Sequence, residues 1–408
     1  MGNPINSGDT AWILVCCSLV LLMTPALALF YGGMARRKNV LSTLTLSYVF
    51  MLLIGVQWVL YGYSLAFGED IGGLIGGLNF VGLRGVGAAV NPNYAKTIPH
   101  GLFAAFQMMF AVITPALITG AFVERVRFKT FLLFSLIWVT LIYDPLCHWV
   151  WGKGGWLGAM GALDFAGGTV VHIAAGFSAL AFALVIGPRK GFGKFPIEPH
   201  NIILTVVGAG LLWVGWFGFN AGSALAANGV AVNALLTTNS SAAMAGLVWM
   251  LLSWLDGRPS TLGLATGMVV GLAAVTPASG FVTPMAALVI GAVAAPLGYY
   301  GIRFREKCRL DESMDVWACH GLASTWGMVA TGLFATVEVN SGGANGLFYG
   351  HPAQLGIQLV AIAATMAFTF GGTFIIAKAL DWSIGLRVSG MEEEVGLDIS
   401  THGERAYS

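Results

Sequence analysis

The chain has 408 residues, 57% of them hydrophobic, with 20 Lys or Arg against 19 Asp or Glu for a net charge of +1. Charged residues make up 10%, against about a quarter in soluble domains, and uncharged stretches long enough to cross a bilayer recur throughout. A soluble enzyme, a nucleic-acid-binding protein and a disordered chain are excluded, and the fold class is an all-α polytopic membrane protein.

Reading uncharged runs against turn signals predicts eleven transmembrane helices, at roughly 11–34, 40–67, 100–123, 130–151, 164–187, 200–222, 233–255, 260–277, 284–302, 316–336 and 355–379. Residues before the first helix carry no basic n-region, so this segment is read as a retained span rather than a signal peptide. The Gly-rich stretch 71–83 is too short to span and is expected to be an external loop. The uncharged run from Pro199 to Leu255 is too long for one crossing and is expected to break near Asn228-Gly229. The run from Pro259 to Ile302 is expected to break around Pro277 and Pro284, because proline ends or kinks a helix. Residues 1–379 form the transmembrane domain, and 380–408 are expected to be a solvated cytoplasmic tail. The five cysteines include the neighbours Cys16 and Cys17 within an apolar run, and are read as reduced, buried thiols.

With the N-terminus outside, 17 of the 20 Lys and Arg fall in inner loops or the tail, leaving Arg84, Lys96 and Lys153 outside. That segregation follows the retention of positive charge on the cytoplasmic side and sets an N-out, C-in topology. The halves also echo each other. Phe30-Tyr31-Gly32-Gly33, with Ala35 and Asn39, matches Phe219-Asn220-Ala221-Gly222, with Ala224 and Asn228, at identical spacing. Thr114-Pro115-Ala116 likewise matches Thr276-Pro277-Ala278. An offset of five helices reverses direction, so helices 1–5 and 6–10 are predicted to be inverted repeats, with helix 11 appended and a site near the midplane.

Ionisable residues narrow the site. No Lys or Arg lies mid-span. Asp164 and Asp315 stand at predicted helix starts, where a carboxylate caps backbone N–H groups. His172 and His320 alone among the seven histidines are inside, on corresponding helices, at about 12 Å and roughly 7–8 Å from opposite ends. Intramembrane ionisable residues are functional candidates. Two apposed neutral imidazoles offer a donor and an acceptor to a small polar solute, and can relay a proton. Phe106 and Phe110 share one face of helix three, Trp151 ends helix four, and Phe219 and Ser223 end helix six. These aromatic faces can gather a small cation, or form an interfacial belt.

At these residues the chain resembles the ammonium transporter (Amt/Mep/Rh) family, over nearly its full length and closest to the bacterial and archaeal Amt branch. The resemblance rests on Ala28–Gly33, on Gly161–His172, on Gly215–Ser223, on Asp315–Gly321 and on the tail motif Gly396–Glu404. It implies a homotrimer in the cell membrane with one pore per subunit, not an enzyme, and without cofactor or metal. Phe106, Phe110, Trp151 and Ser223 are implied as an external ammonium site with Asp164 nearby. Phe110 and Phe219 are implied as a stacked gate, and His172 and His320 as twin pore histidines through which deprotonated ammonium passes. A PII-type nitrogen regulatory protein is the implied partner at the cytoplasmic face, near Phe192 and the tail. An ammonium sensor and an electroneutral ammonia channel are the alternatives. An intramembrane serine protease built on Ser223 and an intramembrane histidine is disfavoured, because Ser223 lies at an outer helix end rather than beside His172.

Overall fold

The computed structural model describes residues 4–407. Among them are eleven long helices. These are α1 Ser7–Met34, α2 Arg37–Phe67, α3 His100–Ala121, α4 Phe128–Met160, α5 Gly168–Ile186, α6 Ile202–Gly222 and α7 Gly229–Leu255. They continue with α8 Thr261–Val275, α9 Pro284–Lys307, α10 (a π-helical turn Trp317–Leu322 running into Ala323–Phe334) and α11 Ala353–Ile384. Nine of them are long and apolar enough to cross a membrane, the exceptions being α8 and α10. Large apolar side chains such as Leu52, Val56, Ile203, Val232 and Ile375 stand exposed on the outside of the bundle, as a lipid-facing surface requires.

The breaks follow local chemistry. Asn228 accepts hydrogen bonds from the N–H groups of Val230 and Ala231 at 3.0 and 3.1 Å and starts α7. Thr283 caps α9, whose first residue is Pro284, where a missing N–H costs nothing. Three helices outrun their predicted ends: α4 continues to Met160, α9 to Lys307 and α11 to Ile384. The first charge marks where apolar surroundings stop, not where backbone hydrogen bonding must.

The halves meet along α1 and α6. A Cβ on Gly33 would lie 2.4 Å from the Thr205 hydroxyl, one on Gly208 2.4 Å from the Phe30 nitrogen, and one on Gly222 2.8 Å from Cys16 Cβ. The partners descend as the α6 numbers rise, so the helices are antiparallel along their whole length, packed through small residues. Gly33 and Gly222 occupy the same place in the two repeat motifs.

One face of the bundle carries a β-hairpin, β1 Asp70–Ile71 with β2 Ile75–Gly76, within the Gly-rich loop. The opposite face carries the tail, whose short helices α12 Gly390–Val395 and α13 Leu397–His402 are docked rather than solvated. Asp398 accepts from the Ser42 N–H at 2.8 Å, Asn39 accepts from the Leu397 N–H at 2.8 Å, and Glu393 accepts from the Lys190 N–H at 2.6 Å. Beneath the tail lies a buried ionic network. Arg125, fully buried, donates to the carbonyls of Ala121, Gly187 and Asp311. Arg189 holds Asp311 through both carboxylate oxygens at 2.8–2.9 Å, and Glu124 pairs with Arg36 and Arg189.

Candidate functional site

Each histidine stands in a π-helical turn: His172 in Gly168–Ile173 and His320 in Trp317–Leu322. Such turns insert one residue into an α-helix and concentrate at functional positions. The α5 turn is anchored by Asp164. One carboxylate oxygen accepts from the N–H groups of Gly167 and Gly168 at 2.8 and 2.6 Å; the other accepts from the Thr169 N–H at 2.7 Å and from the Thr169 hydroxyl. Asp164 is therefore fully engaged as a cap. In α10 the expected cap changes hands. Glu312 accepts from the N–H groups of Val316 and Trp317 at 2.9 and 3.0 Å, while Asp315 pairs with Arg305 at 2.8 Å. Asp315 has φ of +57°, which carries its carboxylate to Arg305 instead of back over the turn.

α5 and α10 cross at Gly176 and Gly321, where a Cβ on Gly176 would sit 2.4 Å from Gly321 Cα. This crossing brings His172 and His320 together. Their Nδ1 atoms are 3.2 Å apart, so one imidazole donates and the other accepts. Both are buried, the indole of Trp216 stacks on His172 at 5.3 Å, and His172 Nε2 is buried without a hydrogen-bond partner. The rings border a cavity also lined by Leu27, Ile113, Leu212 and Val269, with about 10 Å³ open to the centre of a water-sized sphere. That is room for roughly one water-sized molecule.

Phe110 and Phe219 close the cavity on the hairpin side, their rings 4.3 Å apart. Above them opens a pocket of about 160 Å³ by the same measure, lined by Phe103, Gln107, Phe110, Trp151, Phe165 and Ser223 among others. Trp151 meets Phe110 edge-on at 5.9 Å. The Ser223 hydroxyl donates to the Phe219 carbonyl at 2.8 Å, which leaves its oxygen lone pairs free to accept. Gln107 adds a buried carbonyl oxygen without a donor. Two aromatic faces and two acceptors suit a small cation carrying N–H donors.

Phe106 does not reach this pocket. It is wholly buried behind Phe110, 5.0 Å away, and packs where a Cβ on Gly222 would meet it at 2.9 Å. Phe103 and Gln107 line the wall instead. Residues one apart on a helix differ by about 100° in direction, and spacing alone does not say which face of α3 turns inward. Outside the pocket lies a hollow of about 500 Å³ that shares Asn93 and Tyr94 with it and includes Glu69, Asp70 and Lys153. The His148 imidazole hydrogen-bonds Asp70 at 2.9 Å and holds its carboxyl below the usual range, so Asp70 stays ionised at the mouth. Among the described residues no group of three His, Cys, Asp or Glu stands placed to hold a metal ion.

Comparison with known proteins follows the same lines. The sequence profile described as the Ammonium Transporter Family matches residues 11–407. The chain is 51% identical to ammonium transporter Amt1 of Archaeoglobus fulgidus, over 99% of this chain and 100% of the relative. It is 50% identical to an ammonium transporter of Bacillus subtilis, over 99% of each. The crystal structure of Saccharomyces cerevisiae Mep2 superimposes with a TM-score of 0.91 at 35% identity, covering 99% of this chain and 92% of that one.

Proposed function

This chain belongs to the ammonium transporter family, and from that premise we propose a route for its substrate. The ammonium ion is drawn past the ionised Asp70 into the pocket of Phe110, Trp151, Ser223 and Gln107. There it exchanges water for two oxygen acceptors and two aromatic faces. Past Phe110 and Phe219 it hands its proton to the histidine pair, and only ammonia goes on through the cavity.

The observation that carries this reading is the pair His172–His320 facing an apolar cavity of about 10 Å³ behind two closely packed, mutually tilted rings. Moving an ammonium-sized ion into such surroundings costs several kcal/mol even after relaxation, whereas ammonia is neutral. In the tautomer with His172 Nδ1–H donating to His320, the unpartnered Nε2 of His172 is the proton acceptor. The ammonium N–H bond breaks, Nε2 gains the proton, the Nδ1 proton passes to His320, and His320 releases its Nε2 proton on the tail side. Asp164 contributes by fixing the turn that carries His172, and no bond to substrate is needed from it. We further propose that the chain sits in the cell membrane with the hairpin face outside and the tail, about 380–408, in the cytoplasm. We propose it as a homotrimer whose tail face, including Phe192, receives a PII-type regulatory protein.

The test is charge movement after an ammonium pulse in proteoliposomes on a solid-supported membrane. A saturable current in the wild type, abolished in His172→Ala and His320→Ala, is expected. Ammonia flux detected by pH with no wild-type current would replace the proton relay by an electroneutral channel. Ammonium binding with neither current nor flux would replace transport by sensing.

A further inference from the structure

We propose that Gln358 of α11 is a positioning residue: its amide clamps the backbone just before Asp164 and thereby sets both Trp151 in the pocket and His172 in the pore. The proposal rests on the transport reading above for its functional consequence, though not for its geometry.

The loop between α4 and α5 has to hold three things in register. Its carboxylate, Asp164, caps the turn bearing His172. Its backbone carbonyl at Asp164 accepts the Trp151 indole N–H at 3.0 Å. Its Phe165 lines the pocket and donates its N–H to the Pro277 carbonyl at 3.1 Å. A loop with Gly161 and Gly167 at positive φ has little intrinsic stiffness, so something outside it must define where it sits.

That support comes from α11, which contributes no residue to the pocket or to the cavity at the histidines. Gln358, fully buried, accepts from the Leu163 N–H at 2.8 Å and donates to the Leu163 carbonyl at 2.7 Å. One side chain thus pairs with both backbone groups of one residue, as a neighbouring strand would. Gln354, one turn earlier and also buried, donates to the Gly161 carbonyl at 3.0 Å and to Gln358 Oε1 at 3.3 Å. Buried amides whose hydrogen bonds are fully met rigidify their surroundings. A displacement of about 1 Å at a positioned group costs up to about 100-fold in rate, so loss of this clamp is felt at the histidine and the indole together.

The experiment compares wild type with Gln358→Leu, which keeps side-chain bulk and removes both bonds to Leu163. Hydrogen–deuterium exchange of residues 163–173 is expected to quicken by about tenfold, matching two lost hydrogen bonds. The ammonium current is expected to show a higher KM, from Trp151, and a lower maximal rate, from His172. In an Asp164→Asn background the added effect of Gln358→Leu on the rate should shrink below about twofold, because both act through the same turn. Wild-type exchange in Gln358→Leu, unchanged KM and rate, or full multiplication with Asp164→Asn would each overturn the proposal. If Gln358→Leu fails to fold, Gln354→Leu removes the Gly161 tether and is expected to act in the same direction, with unchanged exchange overturning it. A wild type without current or ammonia flux would sink the transport reading alone, since exchange still decides the clamp.

Discussion

Replacing Gly176 by alanine tests the claim that helix crossing, rather than the histidines themselves, sets their contact. The new Cβ would lie 2.4 Å from both Cα and N of Gly321. Carbon atoms rest at about 3.5 Å or more, a shortfall of about 1.1 Å, and the neighbour is backbone that cannot rotate aside. α5 and α10 must therefore part by about that distance. The Nδ1 atoms of His172 and His320, now 3.2 Å apart, would then stand beyond hydrogen-bond reach. Overpacking of this kind costs about 1–3 kcal/mol, so the variant is expected to fold with a lowered unfolding temperature and to lose at least about 90% of its ammonium current. Gly321→Ala supplies the internal control. Its Cβ would meet Gly176 Cα at 3.3 Å and the Trp317 ring at 3.2 Å, contacts that relax by a few tenths of an ångström. It should be milder in both assays. A Gly176→Ala protein with wild-type stability and current, or one milder than Gly321→Ala, would refute the reasoning.

Three further outcomes are expected. Phe219→Ala removes one of the two apposed rings and joins pocket to cavity, so proton leak without ammonium should rise in dye-loaded vesicles, with a stability loss of about 3–5 kcal/mol; leak at wild-type level would contradict the gate. Asp164→Asn removes the charge from a cap that serves three backbone donors and should cost about 1.5–3 kcal/mol, read by thermal unfolding, with an unchanged transition counting against the capping role. Glu312 is pushed up from 4.5 to about 7, first by burial and then by the charge of Asp315. Between those values the folded state holds the proton more tightly than the unfolded chain, so stability from this group falls as pH rises from 4.5 to about 7 and is level above. Glu312→Gln should flatten that slope in unfolding temperature against pH, and an identical slope would show that another group sets it.

Helix positions were largely legible because a span needs uninterrupted apolar residues and its ends need caps, both of which are written locally. Asn228, Pro277 and Pro284 marked the breaks in the two longest uncharged runs for that reason. The histidine pair was legible through the repeat: two imidazoles on equivalent helices stand out in linear sequence. What could not be read depends on direction rather than identity. Phe106 and Gln107 are neighbours, and only packing against Gly222 decides which one turns from the pocket. Glu312 and Asp315 both precede α10, and a left-handed backbone at Asp315 hands the cap to Glu312. Gln358 sits 186 positions from His172 on the buried face of α11, and nothing near it in sequence hints at its partner. The π-helical turns carry no compositional mark at all.

The antiparallel seam of α1 and α6 bears on how the protein moves. Carriers that expose a site alternately to the two sides do so by rocking one half against the other. Here the glycines of one half fit against the backbone and side chains of the other within a carbon radius, and Arg189 and Asp311 fasten the ends of α5 and α10 across the same divide. Rocking would prise apart the seam and a buried ion pair at once, whereas turning the Phe110 and Phe219 rings disturbs neither. On the proposed route the frame is that of a stationary conduit with a flickering door, and throughput is expected to be limited by ring rotation and proton handling rather than by a cycle of the whole molecule.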